Sequence, residues 1–564
     1  MVGVRAEPPN RREPDGPPIT AFGPDFPFAF DDWLTHPDGL GVIPPEARGR
    51  EVAVIGAGMA GMVAAHELMK LGLKPVVFES RRIGGRLRSE AFSAAQGVVA
   101  ELGGMRFPIS GTCFFHYVDL LGLSTRPFPN PLTAAAPTTV IDLAGESLYA
   151  ETIDDLPPLF HEVAEAWHAA LATQAGLAGL QDAIRRRDSA AVAARWNELV
   201  PIWDDRTFYD FVAGSAAFAK LSYRHREVFG QVGFGTGGWD SDFPNSMLEI
   251  LRVVVCEFES NQRLVVGGSE QVPRRLWSHV PNGMVGWPSG TSLSTLHAGA
   301  PKPGVARVRR WNDEQIEVID RNGVARHFPA VLFTTQSWLL TTNIDVEESL
   351  FSQPVWMALD RTRYMQSSKT FVMVDRPFWH DIDPVTNRAM LSMTLTDRNT
   401  RGTYLFDNGP DQPAVICLSY AWAGDALKVL PKSAQERATL ALDTLAKIYP
   451  RTDIRSHVIG DPITVSWEID PDFLGAFKGA LPGHYRYNRR MYAQFMQHGL
   501  PAEQRGAFLA GDDVSFTPGW VEGAVQTALN AVWGIVAHLG GSCHDTNPGP
   551  GDRWAELAPL ALPE

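Results

Sequence analysis

The 564-residue sequence is poor in cysteine, in basic charge and in long apolar runs. Its four cysteines, Cys113, Cys256, Cys417 and Cys543, form no CxxC pair and have no histidine at metal-ligand spacing. They predict free thiols in a cytoplasmic protein, and neither a disulfide framework nor a metal centre. Lys and Arg number 50 against 64 Asp and Glu, a net charge of −14, which argues against nucleic-acid or anionic-membrane partners. No stretch approaches the roughly 18 apolar residues of a membrane span.

The remaining composition is that of a globular protein with a large core, since 45% of residues are hydrophobic and 20% are charged. Residues 1–18 are polar and proline-rich, and residues 19–48 carry many aromatic side chains, so we predict an N-terminal arm over residues 1–48. The proline- and glycine-rich end, residues 542–564, predicts a surface tail.

The first regular unit predicts a dinucleotide site. A strand over Glu51–Ile55, a turn over Gly56–Gly61, a helix over Met62–Leu71 and a strand over Lys74–Phe78 form a βαβ pattern. The turn reads GAGMAG, and such glycines let a pyrophosphate approach a helix N-terminus closely. Glu79 ends the second strand 23 residues after the first glycine, where a carboxylate accepts hydrogen bonds from a ribose.

The pattern of the remaining chain predicts that this nucleotide domain is discontinuous. Residues 151–230 have helical periodicity, short β-branched runs follow between 264 and 335, and a strand-rich block spans about 360–480. The segment 508–540 repeats the opening order of strand, loop and helix. We therefore assign 49–108, 260–345 and 500–541 to the nucleotide domain. A substrate domain would comprise 109–259, with a helical lobe, and the strand-rich 346–499.

Five further motifs resemble the flavin amine oxidase family, in its L-amino-acid oxidase and 2-monooxygenase branch. They are RIGGRLRS (82–89), ELGGMR (101–106), SSK (367–369), AGD (510–512) and GWVEGA (519–524). Within that branch the likeness is greatest to lysine 2-monooxygenases. The resemblance implies FAD as cofactor, a homodimer or larger homo-oligomer, and an α/β fold: a discontinuous doubly wound FAD-binding domain with a mixed-sheet substrate domain and a helical lobe.

The βαβ motif and the resemblance together give a set of cofactor-binding residues. Asp512 stands where the family more often has Glu, and Val285 is the candidate for a backbone contact to the adenine. The expected FAD-binding residues are Gly56, Gly58, Ala60, Gly61, Glu79, Ser80, Gly85, Arg86, Gly104, Met105, Arg106, Val285, Gly511, Asp512, Trp520 and Val521.

The resemblance also implies catalytic residues. Arg106 and Tyr420 would share a substrate carboxylate, Lys369 would hold a water near the flavin, and Trp467 and Trp520 would wall the site.

Four residues are expected around the substrate side chain. Asp242 or Glu259 would pair with a cationic tip, while Phe258 and Trp422 would line its aliphatic stem. The alternative for Asp242 is the N-cap of a helix that begins near Pro244.

These expectations define an FAD-dependent L-amino-acid 2-monooxygenase that uses O₂ and acts on a basic amino acid, L-lysine first. The amino acid would be oxidised to an imino acid, which yields an amide and CO₂ if it stays bound. If it escapes, hydrolysis gives the 2-oxo acid and ammonia, with H₂O₂ as the product of O₂. The alternatives are a plain L-amino-acid oxidase acting on arginine or other amino acids, an amine or polyamine oxidase, and a non-catalytic FAD-binding protein.

Overall fold

The computed structural model describes residues 19–20, 22–95, 97–232 and 243–563. The strands in these ranges are β1 (Glu51–Ile55), β2 (Lys74–Glu79), β3 (Ser89–Ala91), β4 (Val99–Glu101), β5 (Phe107–Pro108), β6 (Thr125–Pro127), β7 (Thr139–Leu143), β8 (Glu146–Ala150), β9 (Gln262–Val265), β10 (Lys302–Pro303), β11 (Val305–Asn312), β12 (Gln315–Asp320), β13 (Ala325–Phe328), β14 (Val331–Phe333), β15 (Asp345–Val346), β16 (Tyr364–Met365), β17 (Ser367–Val374), β18 (Met393–Thr396), β19 (Gly402–Phe406), β20 (Ala414–Trp422), β21 (Val458–Ser466), β22 (Phe477–Lys478) and β23 (Ala507–Leu509).

Helices alternate with these strands and also form a separate group over residues 158–232. The α-helices of the described ranges are α1 (Phe30–Thr35), α2 (Met59–Lys70), α3 (Thr112–Leu120), α4 (Pro158–Ala175), α5 (Leu177–Arg185), α6 (Ser189–Trp203), α7 (Phe208–Ala213), α8 (Tyr223–Val232), α9 (Met247–Val255), α10 (Gln271–Ser278), α11 (Leu293–Leu296), α12 (Leu339–Thr342), α13 (Gln353–Arg361), α14 (Ala423–Val429), α15 (Ala434–Ile448), α16 (Tyr485–Tyr492), α17 (Val521–His538) and α18 (Trp554–Leu557).

A five-stranded parallel sheet, in the order β10-β2-β1-β14-β23, takes strands from all three segments assigned to the nucleotide domain. Ala53 pairs with Val76 on one side and Val331 on the other, and all three side chains are buried. A central parallel strand is covered on both faces, which is why β1 is almost wholly apolar. Helices α2 and α17 pack against each other beside this sheet.

A second, seven-stranded sheet has the order β21-β17-β20-β19-β18-β7-β8. Strand β7 pairs with β18 in parallel, and the other neighbours are antiparallel, so the sheet is mixed as predicted. Lys369 on β17 lies opposite Tyr420 on β20. This register places the two side chains next to each other, and both line the cavity described below.

The two ends of the described chain pack on each other instead of lying free. Ser542 forms a β-bridge with Val42, and the Asn547 side-chain amide donates to the Trp33 carbonyl at 3.0 Å. Leu557, in the segment predicted to be a surface tail, is buried. The prediction failed because the apolar residues of the tail find their partners in the aromatic arm, some 500 residues earlier. Among the described helices, none is both long and apolar enough to cross a membrane.

Candidate active site

One large cavity runs from the carboxyl ends of the parallel strands to the mixed sheet, with about 1500 Å³ of empty space including its open mouth. Ligands of open α/β sheets bind at this edge of the strands. The cavity wall comes from both sheets, from the N-terminal ends of α2 and α17, and from the loops between them.

The glycine-rich turn brings backbone close to the cavity. Helix α2 begins at Met59, three residues before the predicted start, because Ala60 and Gly61 already have helical geometry. A Cβ on Gly61 would lie 2.0 Å from the Gly56 carbonyl oxygen, so only glycine fits there. Gly56, Gly58 and Ala60 line the cavity, while Gly61 is buried behind it. The open N-terminus of α2 therefore offers N–H groups to an anion.

A second glycine stretch faces the first across the cavity. Gly85 has a φ of +59°, and a Cβ there would lie 3.0 Å from the Gly58 Cα. The two glycines form a cradle that side chains would fill, and this space fits the pyrophosphate of the predicted FAD. Arg86 donates to both Asp512 carboxylate oxygens, at 3.1 and 2.5 Å. Gly85, Arg86, Gly511 and Asp512 all line the cavity.

Glu79 is held by the backbone at the end of β2. Its carboxylate accepts hydrogen bonds from Ala57 N–H at 2.8 Å and from Arg81 N–H at 2.9 Å. Burial raises the pKa of this carboxyl group above its usual value. Ser80 and Val305 line the same part of the cavity, where the ribose and adenine of FAD would lie.

Val285, predicted to contact the adenine, lies outside this region. Its side chain is 41% exposed, and its N–H donates to the Lys70 carbonyl at the C-terminal end of α2. The cavity meets the opposite end of this 12-residue helix, about 18 Å away at 1.5 Å per residue. Val305, the first residue of β11, does line the cavity, and it lies two residues after β10, which pairs with β2.

The N-terminus of α17 supplies another part of the wall. Trp520 precedes the helix and, with Val521, lines the cavity. The positive end of an 18-residue helix therefore faces the cavity and favours negative charge there. Glu522 points elsewhere, because its carboxylate accepts the N–H groups of Cys113 and Phe114 at the start of α3, and burial raises its pKa to about 7.

Lys369 is a buried cation on the cavity wall. Its Nζ donates to the Glu101 carbonyl at 3.1 Å and to the Gly103 carbonyl at 2.5 Å, and it lies 4.8 Å from the centre of the Tyr420 ring. Burial lowers its pKa to about 8. A lysine with this pKa changes charge within the pH range in which an enzyme works.

Arg106 lies in a group of aromatic rings. Its Nη2 donates to the Tyr404 hydroxyl at 3.0 Å, and its Cζ lies 5.5 Å from the centre of the Tyr420 ring. Arg106 and Tyr420 both line the cavity, and their shared carboxylate stays a prediction. Tyr404 was missed by the sequence analysis, because GTYLF is an unremarkable strand sequence and its contact with Arg106 spans 298 residues.

The ELGGMR segment (101–106) and Trp467 meet beside Lys369. The Trp467 indole N–H donates to the Leu102 carbonyl at 3.1 Å, which fixes its ring on the cavity wall next to Gly104. Met105 is turned away from this cavity and is buried in the core with Leu264. Its predicted flavin contact is therefore wrong for the side chain, because consecutive residues of an extended segment face opposite sides.

Three of the four residues predicted around the substrate side chain, Phe258, Glu259 and Trp422, do not line the described cavity wall. The Phe258 ring packs on the Trp520 ring, with their centres 5.0 Å apart. The Trp422 ring packs on the Tyr420 ring, with their centres 5.4 Å apart. Glu259 follows Phe258; its Oε2 has no hydrogen-bond partner in the described part of the chain, and burial raises its pKa to about 7. Asp242 lies outside the described residues.

Comparison with known proteins gives one family match. The protein-family model described as flavin containing amine oxidoreductase matches residues 59–536 of this chain. Tryptophan 2-monooxygenase of Pseudomonas savastanoi is 32% identical over 531 residues, 88% of this chain and 91% of that protein. Tryptophan 2-monooxygenase of Agrobacterium vitis is 31% identical over 92% of this chain and 70% of its own length. L-amino-acid oxidase of Mus musculus is 24% identical over 86% and 70%.

Solved structures share the fold at lower identity. Cyclohexylamine oxidase from Brevibacterium oxydans IH-35A superimposes with a TM-score of 0.65 at 18% identity, covering 87% of this chain and 100% of that one. Wild-type putrescine oxidase bound to putrescine superimposes with a TM-score of 0.62 at 17% identity, covering 87% and 99%. The predicted α/β architecture is confirmed by this likeness.

Proposed function

The chain belongs to the flavin-containing amine oxidoreductase family and uses FAD to oxidise amino acids, and on that premise we propose that it is an L-amino-acid 2-monooxygenase with L-amino-acid oxidase side activity. The observation that carries this proposal is Arg106, a cation on the cavity wall whose contacts within the described residues are aromatic rings and a tyrosine hydroxyl. An oxidase of simple amines has no carboxylate to bind, so it has no need of this cation.

The roles of the surrounding residues follow from their contacts. Bound FAD supplies the oxidation of the substrate's α-carbon–nitrogen bond and the reduction of O₂. Arg106 binds the substrate carboxylate in a charge-assisted pair, and Tyr420, beside it, donates a hydrogen bond to the same group. Lys369 places an ammonium group 4.8 Å from the Tyr420 ring, close to the reacting centre. Trp467, fixed by the Leu102 carbonyl, closes the site against water.

The balance between the two activities depends on how long the oxidised product stays bound. An imino acid keeps its carboxylate, so Arg106 holds it as firmly as it holds the substrate. Retention favours attack on the imino acid by the H₂O₂ formed from O₂, which gives the amide, CO₂ and water. Release favours hydrolysis to the 2-oxo acid and ammonia, and H₂O₂ then leaves as a product.

For the substrate side chain we propose a basic group, with L-lysine first. Glu259 supports this choice although it does not line the cavity. A buried carboxylate oxygen with no partner among the described residues is costly, and a cationic substrate tip that reached past the cavity wall would relieve that cost. Its neighbour Phe258 packs on Trp520 of the cavity wall. The rival is an indole side chain, which is favoured by the relatives named tryptophan 2-monooxygenase.

The test is a product analysis with lysine, arginine, ornithine, norleucine and tryptophan, each beside its decarboxylated amine. We expect an amide from lysine, less product from norleucine and tryptophan, and little oxidation of the amines. Oxidation of the amines at the rate of the amino acids would refute the amino-acid assignment. Tryptophan as the best substrate would refute only the basic side chain, and 2-oxo acid as the sole product would refute the monooxygenase activity.

A further inference from the structure

Arg106 differs from other inward-facing arginines of this protein in the groups that hold it. Arg86 is paired with Asp512, and Arg252 with Asp25, at N–O distances of 2.5 and 2.6 Å. No carboxylate of the described residues lies within 4 Å of the Arg106 guanidinium. Arg106 is half-buried, and a cation partly withdrawn from water without an acidic partner is unusual, since burial of an uncompensated charge is costly.

Two aromatic residues of the substrate domain supply the contacts instead. The Arg106 Cζ lies 5.0 Å from the centre of the Tyr404 ring and 5.1 Å from that of Phe128, and these two rings are 5.5 Å apart. Both side chains are fully buried. Aromatic faces attract a cation without neutralising it, whereas a carboxylate would cancel its charge.

The Tyr404 hydroxyl fixes the direction of the guanidinium. It accepts a hydrogen bond from Nη2 at 3.0 Å, and burial raises the pKa of this tyrosine to about 12. The hydroxyl therefore stays neutral at any pH at which the enzyme works. The rings and the hydroxyl together restrict the orientation of Arg106 and leave its full positive charge for a ligand.

We propose that Tyr404 and Phe128 are positioning residues that hold Arg106, uncompensated, for the substrate carboxylate. The inference rests on the proposed function, because it requires a substrate that carries a carboxylate. It adds two residues to the site that do not touch the substrate themselves. Their loss should weaken the binding of carboxylates and leave the binding of amines unchanged.

The test compares the holoenzyme with Tyr404→Phe, which removes only the hydroxyl, and Phe128→Leu, which removes one ring. The first readout is kcat and KM for the preferred amino acid. The second is the dissociation constant of hexanoate and of hexylamine, measured from the change in flavin absorbance. We expect each variant to raise KM and the dissociation constant of hexanoate about tenfold. This is the scale of one hydrogen bond to a charged group for Tyr404→Phe and of one partly desolvated cation–π contact for Phe128→Leu. The value of kcat and the hexylamine constant should change less than about twofold.

Tyr449→Phe is the matched control. It also removes a tyrosine hydroxyl of the substrate domain, one that bonds to Thr394 Oγ1 at 2.7 Å, but Tyr449 does not contact Arg106. Both tyrosine variants should lower the melting temperature to a similar extent, and only Tyr404→Phe should raise KM.

The outcomes separate this inference from the proposed function. Suppose that Arg106→Ala weakens the binding of hexanoate, whereas Tyr404→Phe and Phe128→Leu leave it unchanged. The positioning role is then refuted, while the carboxylate site stands. If the variants weaken the binding of hexanoate and of hexylamine equally, the site is damaged in general, and the positioning role is also refuted. If Arg106→Ala affects neither ligand, the proposed function itself fails.

Discussion

Replacement of Lys369 by methionine should slow the reaction with O₂ and leave substrate binding almost unchanged. The side chain is buried on the cavity wall, and both of its hydrogen bonds go to backbone carbonyls of the ELGGMR segment, those of Glu101 and Gly103. Methionine has a similar length and no charge. The variant therefore removes the ammonium group and keeps most of the packing.

The magnitude follows from the pKa of about 8. At pH 7 Lys369 is protonated in about ten molecules for each one in which it is neutral, and at pH 9 this ratio is reversed. If O₂ is reduced about 5 Å from the ammonium group, a unit charge is worth about 3 kcal/mol at an effective dielectric constant of 20, or roughly 100-fold in rate. Since protonation occurs below the pKa, the wild-type rate should fall by that factor as the pH rises through about 8.

The assay is stopped-flow mixing of dithionite-reduced holoenzyme with O₂ between pH 6 and pH 10. The wild type should show one titration near pH 8, and Lys369→Met should be slow and independent of pH. Normal reoxidation in Lys369→Met, or the same titration in that variant, would refute the reasoning.

Lys478 offers the matched control. It is also buried, with its pKa lowered to about 8, but it bonds to Asn488 at 3.0 Å and does not line the cavity. Lys478→Met should leave the O₂ reaction and its pH dependence unchanged. Because burial lowers the pKa of both lysines from 10.5, their protonation at pH 7 opposes folding. Neither methionine variant should therefore lower the melting temperature at pH 7 by more than a few degrees.

Three further predictions concern other parts of the site. Arg106→Lys should lower kcat/KM for amino acids at least tenfold, because the two-pronged geometry of the guanidinium is lost; an unchanged value would place the carboxylate elsewhere. Glu79→Gln should weaken FAD binding to the apoprotein about tenfold in a fluorescence titration. A glutamine side chain has only one acceptor oxygen, so either the Ala57 N–H or the Arg81 N–H loses its acceptor. Glu259→Gln should lower kcat/KM for lysine about tenfold and spare norleucine, and equal losses for both would exclude a specificity role. The same variant should raise the melting temperature more at pH 8 than at pH 5, because a carboxyl whose pKa is raised to about 7 on folding opposes folding once it ionises.

The parts of the fold that the sequence could predict are those with local signals. The strand β1, the glycine turn and the helix α2 are consecutive, and each has its own periodicity or turn chemistry. Arg86, Arg106 and Lys369 stand in short motifs whose glycines or serines are specific enough to be matched. These side chains all line one cavity.

The parts that the sequence could not predict depend on distant pairing. Val305 borders the cavity because β10, a two-residue strand, adds to the edge of the nucleotide sheet beside β2, and two residues carry no periodic signal. Val285 had an equally plausible local sequence and lies at the wrong end of α2. Tyr404 meets Arg106 only because β19 pairs with β20 in the mixed sheet. The buried tail was missed for the same reason.

The order of the strands in the nucleotide sheet has a consequence for biosynthesis. The wall of the cofactor cavity includes Gly56 near the start of the chain and Asp512 and Val521 near its end. At 5 to 20 residues per second, about 20 to 90 seconds separate the emergence of these parts from the ribosome. During that time α2 lacks its partner helix α17, so the apolar surface of α2 is exposed and can bind chaperones. Translation that stops before β23 would leave an incomplete sheet with no closed FAD site, so cofactor insertion must follow release of nearly the whole chain.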